Sequence, residues 1–424
     1  MQNIKLIILS LILVATTAES SIMIPLSKKS PIKSHNDIRV KIFPHSKNYR
    51  PHGKDINKTS VTLASTGLCD IYVGSSYRTG KTSSLLKKNQ KYINLTASEL
   101  KNSPQWIKCS GETRVIRNKN RPDFVYSGSF YARVDNKGHV NLINIVDLEK
   151  YLRGVVPSEV YSGWPMETLK TQAVAARTYA VYHLARSKKM RRAYWDVDDT
   201  ISYQAYTGLS LSNKRTDKSV KTTRGQIMTY DGKIIQAYYH ANSGGITEQA
   251  KNVWMLNVPY VNIVETQGKS EEKEWTVRLS MSRLERKLRY FRDENTNRSY
   301  ISKSEKIQDI KVPSAGRTGS DRVKFVEVSV KNFRDSSTRT LEVPVEIFKR
   351  SSQRISSTKF RFEKDPLSSK FINVVGSGDG HGVGMSQNGA MILAKKGHKY
   401  DEILSHYYNA NLCNINKRTR ACYK

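Results

Sequence analysis

Long hydrophobic runs are missing from this chain of 424 residues. None approaches the roughly 20 apolar residues that a membrane-spanning helix needs, so a polytopic membrane protein is excluded. Acidic residues are scarce: 37 Asp and Glu stand against 71 Lys and Arg, a formal charge of +34. That imbalance points to an anionic partner, whether nucleic acid, an anionic lipid surface or a cell-wall polymer. A lysine-rich genome accounts for it equally well, because the basic residues are spread along the chain. Recognised nucleic-acid motifs are lacking, which disfavours the first partner. Cysteine is limited to four residues with no Cys-x-x-Cys spacing, which leaves a zinc ribbon or a thioredoxin-type redox centre without support. What is present suffices for a packed fold: 38% hydrophobic and 25% charged residues argue against disorder over the whole length.

Residues 1–18 read as a secretory signal, with Lys5 near the start, an apolar stretch from Leu6 to Val14, and small residues from Ala15 to Ala18. The protein is therefore expected to be exported, to the periplasm or to the cell wall and beyond, where nucleic acid is scarce. No cysteine stands near the cleavage point, so a lipoprotein anchor is disfavoured. All four cysteines lie beyond the signal, and their even number permits two disulfides. Of the three connectivities, local pairing is expected: Cys69 with Cys109, and Cys413 with Cys422.

A basic, β-rich N-terminal region is expected over 19–138. Within it Ile38-Arg39-Val40-Lys41-Ile42 alternates apolar and basic residues, as an exposed or edge strand would. A core region follows over 139–412, interrupted near 268–323 by a charged segment of low apolar content that reads as a linker or surface insertion. A Gly-rich loop over 376–389 leads to a final helix near 389–408, and 413–424 forms a tail. The architecture expected is α+β, with a β-rich N-terminal region and a core strand set packed on one long helix.

That helix is predicted over 165–189. Pro165 suits its first turn, Glu167 complements the N-terminal dipole, and Lys188 and Lys189 complement the other end. Leu169, Ala173, Ala176, Ala180 and Leu184 mark a buried stripe. Arg177 interrupts the pattern: its neighbours one turn away are Ala173, Val174, Ala180 and Val181. A guanidinium on such a face needs an acidic partner or an anionic ligand. Glu159, placed outside the helix beside Val155, Val156, Val160 and Trp164, is a candidate. Burial there would raise its pKa and suit it to general-acid work. An ordinary buried ion pair joining loop to helix satisfies the same pattern.

Four ordered stretches carry a family resemblance. They are Tyr151-Leu152-Arg153-Gly154-Val155-Val156-Pro157-Ser158-Glu159 with Leu169 to Ala180, then Thr223-Arg224-Gly225-Gln226, then Tyr239 to Glu248, and then His381-Gly382-Val383-Gly384-Met385-Ser386-Gln387-Asn388-Gly389-Ala390. Together they resemble the SpoIID/LytB domain family over about residues 140–410. The resemblance implies a SpoIID-like mixed fold and a bacterial peptidoglycan lytic transglycosylase. Such an enzyme leaves 1,6-anhydro-MurNAc ends, with a preference in the best-known case for strands stripped of stem peptides. LytB-like relatives imply the alternative, a non-catalytic wall-binding modifier that enhances an amidase autolysin.

By resemblance Glu159 occupies the catalytic position and Arg177 supports it. His240, Ser243, Tyr260, His381, Ser386 and Gln387 are the expected substrate-facing residues. The expected partners are glycan strands, an amidase, and anionic wall polymers or a membrane surface. No cofactor is expected. Some SpoIID proteins carry a zinc-binding Cys-x4-His-Cys before a Gln. Here Asp198, Ser202 and Tyr203 stand at those positions before Gln204, and no metal is expected because serine and neutral tyrosine are poor zinc ligands.

Overall fold

The structure is a computed structural model that describes residues 24–25, 37–43, 59–73, 84–116, 123–190, 194–266, 268, 271–293, 296–352 and 354–417. The expected signal at 1–18 and Cys422 lie outside the described residues. The fold is α+β, as expected.

A curled nine-stranded sheet forms one layer. Its order is Val197–Asp198, Asp37–Ile42, Val140–Asp147, Ser129–Val134, Gln105–Cys109, Ser60–Val73, Thr113–Val115 and Phe124–Tyr126, with Ser84–Thr96 paired to Ser60–Val73. Asp37–Ile42 was expected to be exposed or at an edge. Instead it pairs on both sides and buries Ile38, Val40 and Ile42. Its basic residues are compensated from far away in sequence. Arg39 forms an ion pair with Asp196 at 2.5 Å, and the Lys41 ammonium lies 4.4 Å from the centre of the Trp195 ring. Cys69 and Cys109 face each other on neighbouring strands and are disulfide-bonded. Cys413 is also disulfide-bonded.

Helices α1 (Leu148–Glu159) and α2 (Met166–Met190) pack on the inner face of the sheet. Asp147 caps α1 by accepting from the Glu149 and Lys150 N–H groups. Leu148, Tyr151, Leu152, Val155 and Val156 recur at three- and four-residue spacing and are all buried. Gly154 is required at its position: a Cβ there would lie 2.0 Å from the Gly208 carbonyl oxygen. Pro157 lies inside the last turn, where its missing N–H costs one helical hydrogen bond, and α1 ends at Glu159. Glu159 is thus the terminal residue of a helix rather than a loop residue. The α2 bounds agree with the helix predicted over 165–189. One hydrophobic core runs from Ile38 to Ile415, so the N-terminal sheet and the helical layer are packed as one body.

The charged segment 268–323 is folded. It contributes strand Glu274–Ser280, helix α4 (Met281–Tyr290) and strand Glu305–Lys311, while α3 (Lys214–Thr222) precedes it in the core. Its few apolar residues, among them Leu284, Leu288, Ile301 and Ile310, are spent on a second hydrophobic cluster shared with Val326, Val328, Phe348 and Val374. The inserted unit thus extends beyond 323, to the strand Phe371–Ser377 that pairs with Glu274–Ser280. Arg322 fastens it to the core by donating to the Ser243 carbonyl at 2.6 Å.

The final helix expected near 389–408 is two helices, α5 (Gln387–Lys395) and α6 (Tyr400–Tyr407), because Gly397 between them adopts φ +98°. The tail begins inside a strand, Asn411–Asn414, paired with Gln226–Tyr230. Among the described residues no helix is long and apolar enough to cross a membrane.

The Cys69–Cys109 bond closes a 40-residue separation. Replacing both cysteines by serine should lower unfolding stability by about 2–4 kcal/mol in denaturant titrations under non-reducing conditions, and reduction of the wild type, which also opens the Cys413 disulfide, should give a larger loss.

Candidate functional site

The last residue of α1 meets three other parts of the chain. The Ala205 N–H donates to Glu159 Oε1 at 2.7 Å, and Gln387 Nε2 approaches Oε2 at 3.4 Å. The nearby Tyr239 phenol, which accepts from Gln204 Nε2 at 2.9 Å, also favours the charged form of this carboxyl. A short parallel pairing sets Tyr239 opposite Met385 and His240 opposite Ser386, which brings the third and fourth sequence motifs side by side at the end of α1. Gln387 opens α5 and is steadied by Gln172 of α2, whose Oε1 accepts from it at 3.3 Å.

Glu159 keeps partial solvent exposure as a residue, but its carboxyl is enclosed by these neighbours. Desolvation outweighs the hydrogen bonds from Ala205 and Gln387 and the nearby Tyr239 phenol, which favour the charged form, and pushes the pKa up to about 7. No cation and no second carboxylate figures among the groups that set its proton affinity. The arrangement can hold a proton near neutrality, as a general acid requires.

Arg177 is not brought to Glu159. It is fully buried and meets Glu149, in the first turn of α1, through Nε–Oε1 at 3.0 Å and Nη2–Oε2 at 2.8 Å. It also donates to the carbonyls of Val220 and Gln226, and Glu149 accepts from the Gly225 N–H. The acidic partner that the apolar face demanded is present, but it lies 28 residues away at the other end of α1.

The remaining expected residues divide. His240 and His381 are neighbours, with ring centres 5.6 Å apart, and His381 packs 4.8 Å from Trp254. Burial pushes both imidazoles down, His381 to about 3, so both are neutral at pH 7. Ser243 and Ser386 are joined through the buried Glu271: their hydroxyls donate to its two oxygens at 2.5 and 2.6 Å. Those hydroxyls are committed to the fold rather than offered to a ligand. Tyr260 is fully buried in the core and its oxygen accepts from the Gln236 N–H, so its ring presents no face for a sugar to stack on.

Tyr239, Gln204, Ala205 and Gln172 were not singled out from the sequence. Tyr239 opens the third motif and Gln204 closes the Asp198 stretch, but only the fold brings Tyr239 near Glu159 and Gln204 onto the Tyr239 hydroxyl. In that stretch Asp198 Oδ1 accepts from the Thr200 N–H and hydroxyl at 2.9 and 2.7 Å. With Ser202 and Tyr203 beside it, the donor set does not suit zinc. Among the described residues no group of three or more His, Cys, Asp or Glu is assembled for a metal ion.

Comparison with known proteins adds three relatives and a family. The SpoIID family model, described as Stage II sporulation protein, matches residues 136–230, which contain α1, α2, Glu159 and Arg177. An uncharacterized protein of Brachyspira hyodysenteriae is 35% identical over 269 residues, covering 63% of this chain and 67% of its own length. The amidase enhancer of Bacillus subtilis is 30% identical over 349 residues, covering 71% of this chain and 47% of the enhancer, so the chain spans about half of that relative. Stage II sporulation protein D of Bacillus subtilis is 28% identical over 277 residues, covering 62% of this chain and 73% of that protein.

Two outcomes follow from these environments. Arg177→Met should destabilise the protein by about 3–5 kcal/mol in denaturant titrations, because it strands the Glu149 carboxylate in the core. Glu159→Gln should do the opposite at alkaline pH. With the folded pKa raised from 4.5 to about 7, the folded wild type holds the proton more tightly than the unfolded chain. Its stability therefore falls as pH rises through that window and is flat above it. At pH 8 the glutamine variant should be more stable by about 2–3 kcal/mol, and below pH 4.5 the two should converge.

Proposed function

Because the chain belongs to the SpoIID family, we propose that it acts on the bacterial cell wall as a peptidoglycan lytic transglycosylase, with Glu159 as its single acid/base. The observation that carries this reading is the enclosed carboxyl at the end of α1, held by Ala205 and Gln387 and pushed by burial to a pKa of about 7, on a residue that keeps partial exposure. Ordinary glycoside hydrolysis uses two carboxyl groups, one acid and one base or nucleophile. The hydrogen-bond partners of Glu159 are a backbone N–H and an amide, with a phenol nearby. A lytic transglycosylase needs no second carboxylate, because the substrate supplies the nucleophile.

In the proposed reaction, protonated Glu159 gives its proton to the glycosidic oxygen between MurNAc and GlcNAc. The C1–O bond breaks, and its electron pair leaves with the GlcNAc hydroxyl. The developing oxocarbenium ion at C1 is captured by the 6-hydroxyl of the same muramic residue, whose proton passes to the Glu159 carboxylate. The 1,6-anhydro ring closes, no water is consumed, and the carboxyl ends as it began.

Export and wall attachment belong to the same proposal. The disulfides support an oxidising compartment, and the +34 charge supports attraction to anionic wall polymer or an anionic membrane surface. The likeness to the amidase enhancer supports a second reading, in which the protein binds the wall and promotes an amidase without cleaving glycan.

The test is a digest of purified glycan strands, with and without stem peptides, by wild type and Glu159→Gln, read by mass spectrometry. Products lighter than hydrolytic ones by one water, lost in the variant, are expected. The rate should fall as pH rises through about 7, as the acid ionises. Binding of both substrates without products would overturn the enzyme and leave the enhancer reading.

A further inference from the structure

Two residues beyond Glu159 stands an aromatic ring that neither the family motifs nor the proposed reaction uses. Tyr161 is 71% exposed, although it directly follows the buried Val160. Val160 caps α1 in an extended conformation, with φ −134° and ψ 150°. Side chains alternate along extended backbone, so Val160 turns into the core and Tyr161 turns out. Two peptide units keep the Cα atoms of Glu159 and Tyr161 within about 7.6 Å of each other. The turn that carries the ring is held on both sides. The Trp164 N–H donates to the Tyr161 carbonyl at 3.0 Å, and the Trp164 side chain packs against the main core. Arg215, in the first turn of α3, donates to the carbonyls of Ser162 and Trp164 at 3.0 and 2.8 Å. The ring itself lies against Gly163, where a Cβ would stand 2.5 Å from its Cε1 and 3.1 Å from its Cζ. An exposed ring that is already fixed in place loses little freedom when a ligand covers it.

We propose that Tyr161 is a substrate-binding residue, a platform on which one sugar ring of the glycan strand stacks close to the bond that Glu159 cleaves. The inference rests on the proposed function and deepens it, by assigning the stacking contact that the buried Tyr260 cannot make. The face of a pyranose that presents its axial C–H groups is apolar, while its rim of hydroxyls is polar. A phenol matches both, with a flat apolar face and a hydroxyl at its edge. A protein partner or a lipid surface engages a broad apolar patch. The turn instead presents a single exposed ring, flanked by Ser162, Gly163 and the exposed Arg215, and one ring is the footprint of one sugar. Because the stack is made in the bound strand and kept as the bond breaks, it lowers KM and leaves kcat nearly unchanged.

The experiment measures binding of purified glycan strands, with and without stem peptides, by isothermal titration calorimetry. Tyr161→Ala, Tyr161→Phe and Gly163→Ala are each combined with Glu159→Gln so that no strand is cut, and their cleavage kinetics are followed with Glu159 intact. Tyr290→Ala, which removes a ring 78% exposed on the inserted unit, is the control. Tyr161→Ala should weaken binding of both kinds of strand about tenfold and raise KM to match, with kcat little changed. Phenylalanine keeps the ring and should bind almost as tightly as tyrosine. Gly163→Ala keeps the ring but drives it from its seat, and should weaken binding several-fold. Tyr290→Ala should alter neither readout, and the thermal unfolding of every variant at 161 should stay near that of its parent, because the ring is exposed. If Tyr161→Ala binds strands as its parent does, or if the loss is confined to strands that bear stem peptides, the proposal is wrong, whether or not the wild type cleaves glycan. If binding falls as expected while the wild type yields no products, the platform stands and the transglycosylase reading falls.

Discussion

A guanidinium without access to solvent organises the half of the molecule that bears the candidate site. Arg177 is fully buried midway along α2, and a charge in that position is tolerated only when it is paired and its donors are satisfied. Glu149 supplies the opposite charge through two hydrogen bonds, and the carbonyls of Ala173, Val220 and Gln226 and the Thr223 hydroxyl take other donors. These partners come from α1, α2, α3 and the turn before Gln226–Tyr230, so those elements must converge for the charge to be buried at all. Because Glu149 opens α1 and Glu159 closes it, the pair fixes one end of a rod about 15 Å long whose other end carries the candidate acid. Arg177 therefore acts on Glu159 through the direction of α1.

The electrostatic character of the site follows from what is kept away from it. The chain carries +34 charges, yet the groups around the Glu159 carboxyl are uncharged: Ala205 N–H, Gln387, Tyr239 and, behind that, Gln204. A lysine or arginine in contact would hold the carboxyl ionised. With Arg177 committed to Glu149, desolvation dominates and the proton is retained near neutrality. The inserted unit performs similar service for the adjoining loops. Glu271 ties Ser243 to Ser386, Arg322 holds the Ser243 carbonyl, and Glu248 accepts from Ser320 at 2.5 Å. These bonds fix the strand pair Tyr239–His240 and Met385–Ser386 that delivers Tyr239 and Gln387.

Much of this was legible in the residues alone. The periodicity of α2, the anomaly of Arg177 within it and the pairing of Cys69 with Cys109 depend on local spacing or on nearest-available partners. The strand Asp37–Ile42 was legible as a strand but not as an interior one. Arg39 and Lys41 looked solvent-facing because their compensating groups, Asp196 and Trp195, lie more than 150 residues along the chain. The segment 268–323 misled in the same way, since its sparse apolar residues form a core only with strands that come later. Tyr260 looked suited to a sugar face, and the packing of the core claimed it.

What the sequence by itself determined is the set of local necessities: a long amphipathic helix, a buried cation that must find a carboxylate, glycines where the backbone turns or passes close, and cysteines able to pair. Which carboxylate answers Arg177, and which is left among neutral groups, was decided only in three dimensions. Glu159 meets Ala205 from 46 residues away and Gln387 from 228. Periodicity and spacing constrain neighbours within a turn or a strand pair. The proton affinity of a buried group depends instead on every element that closes around it, and that closure exists only once the sheet, the helices and the insertion are packed.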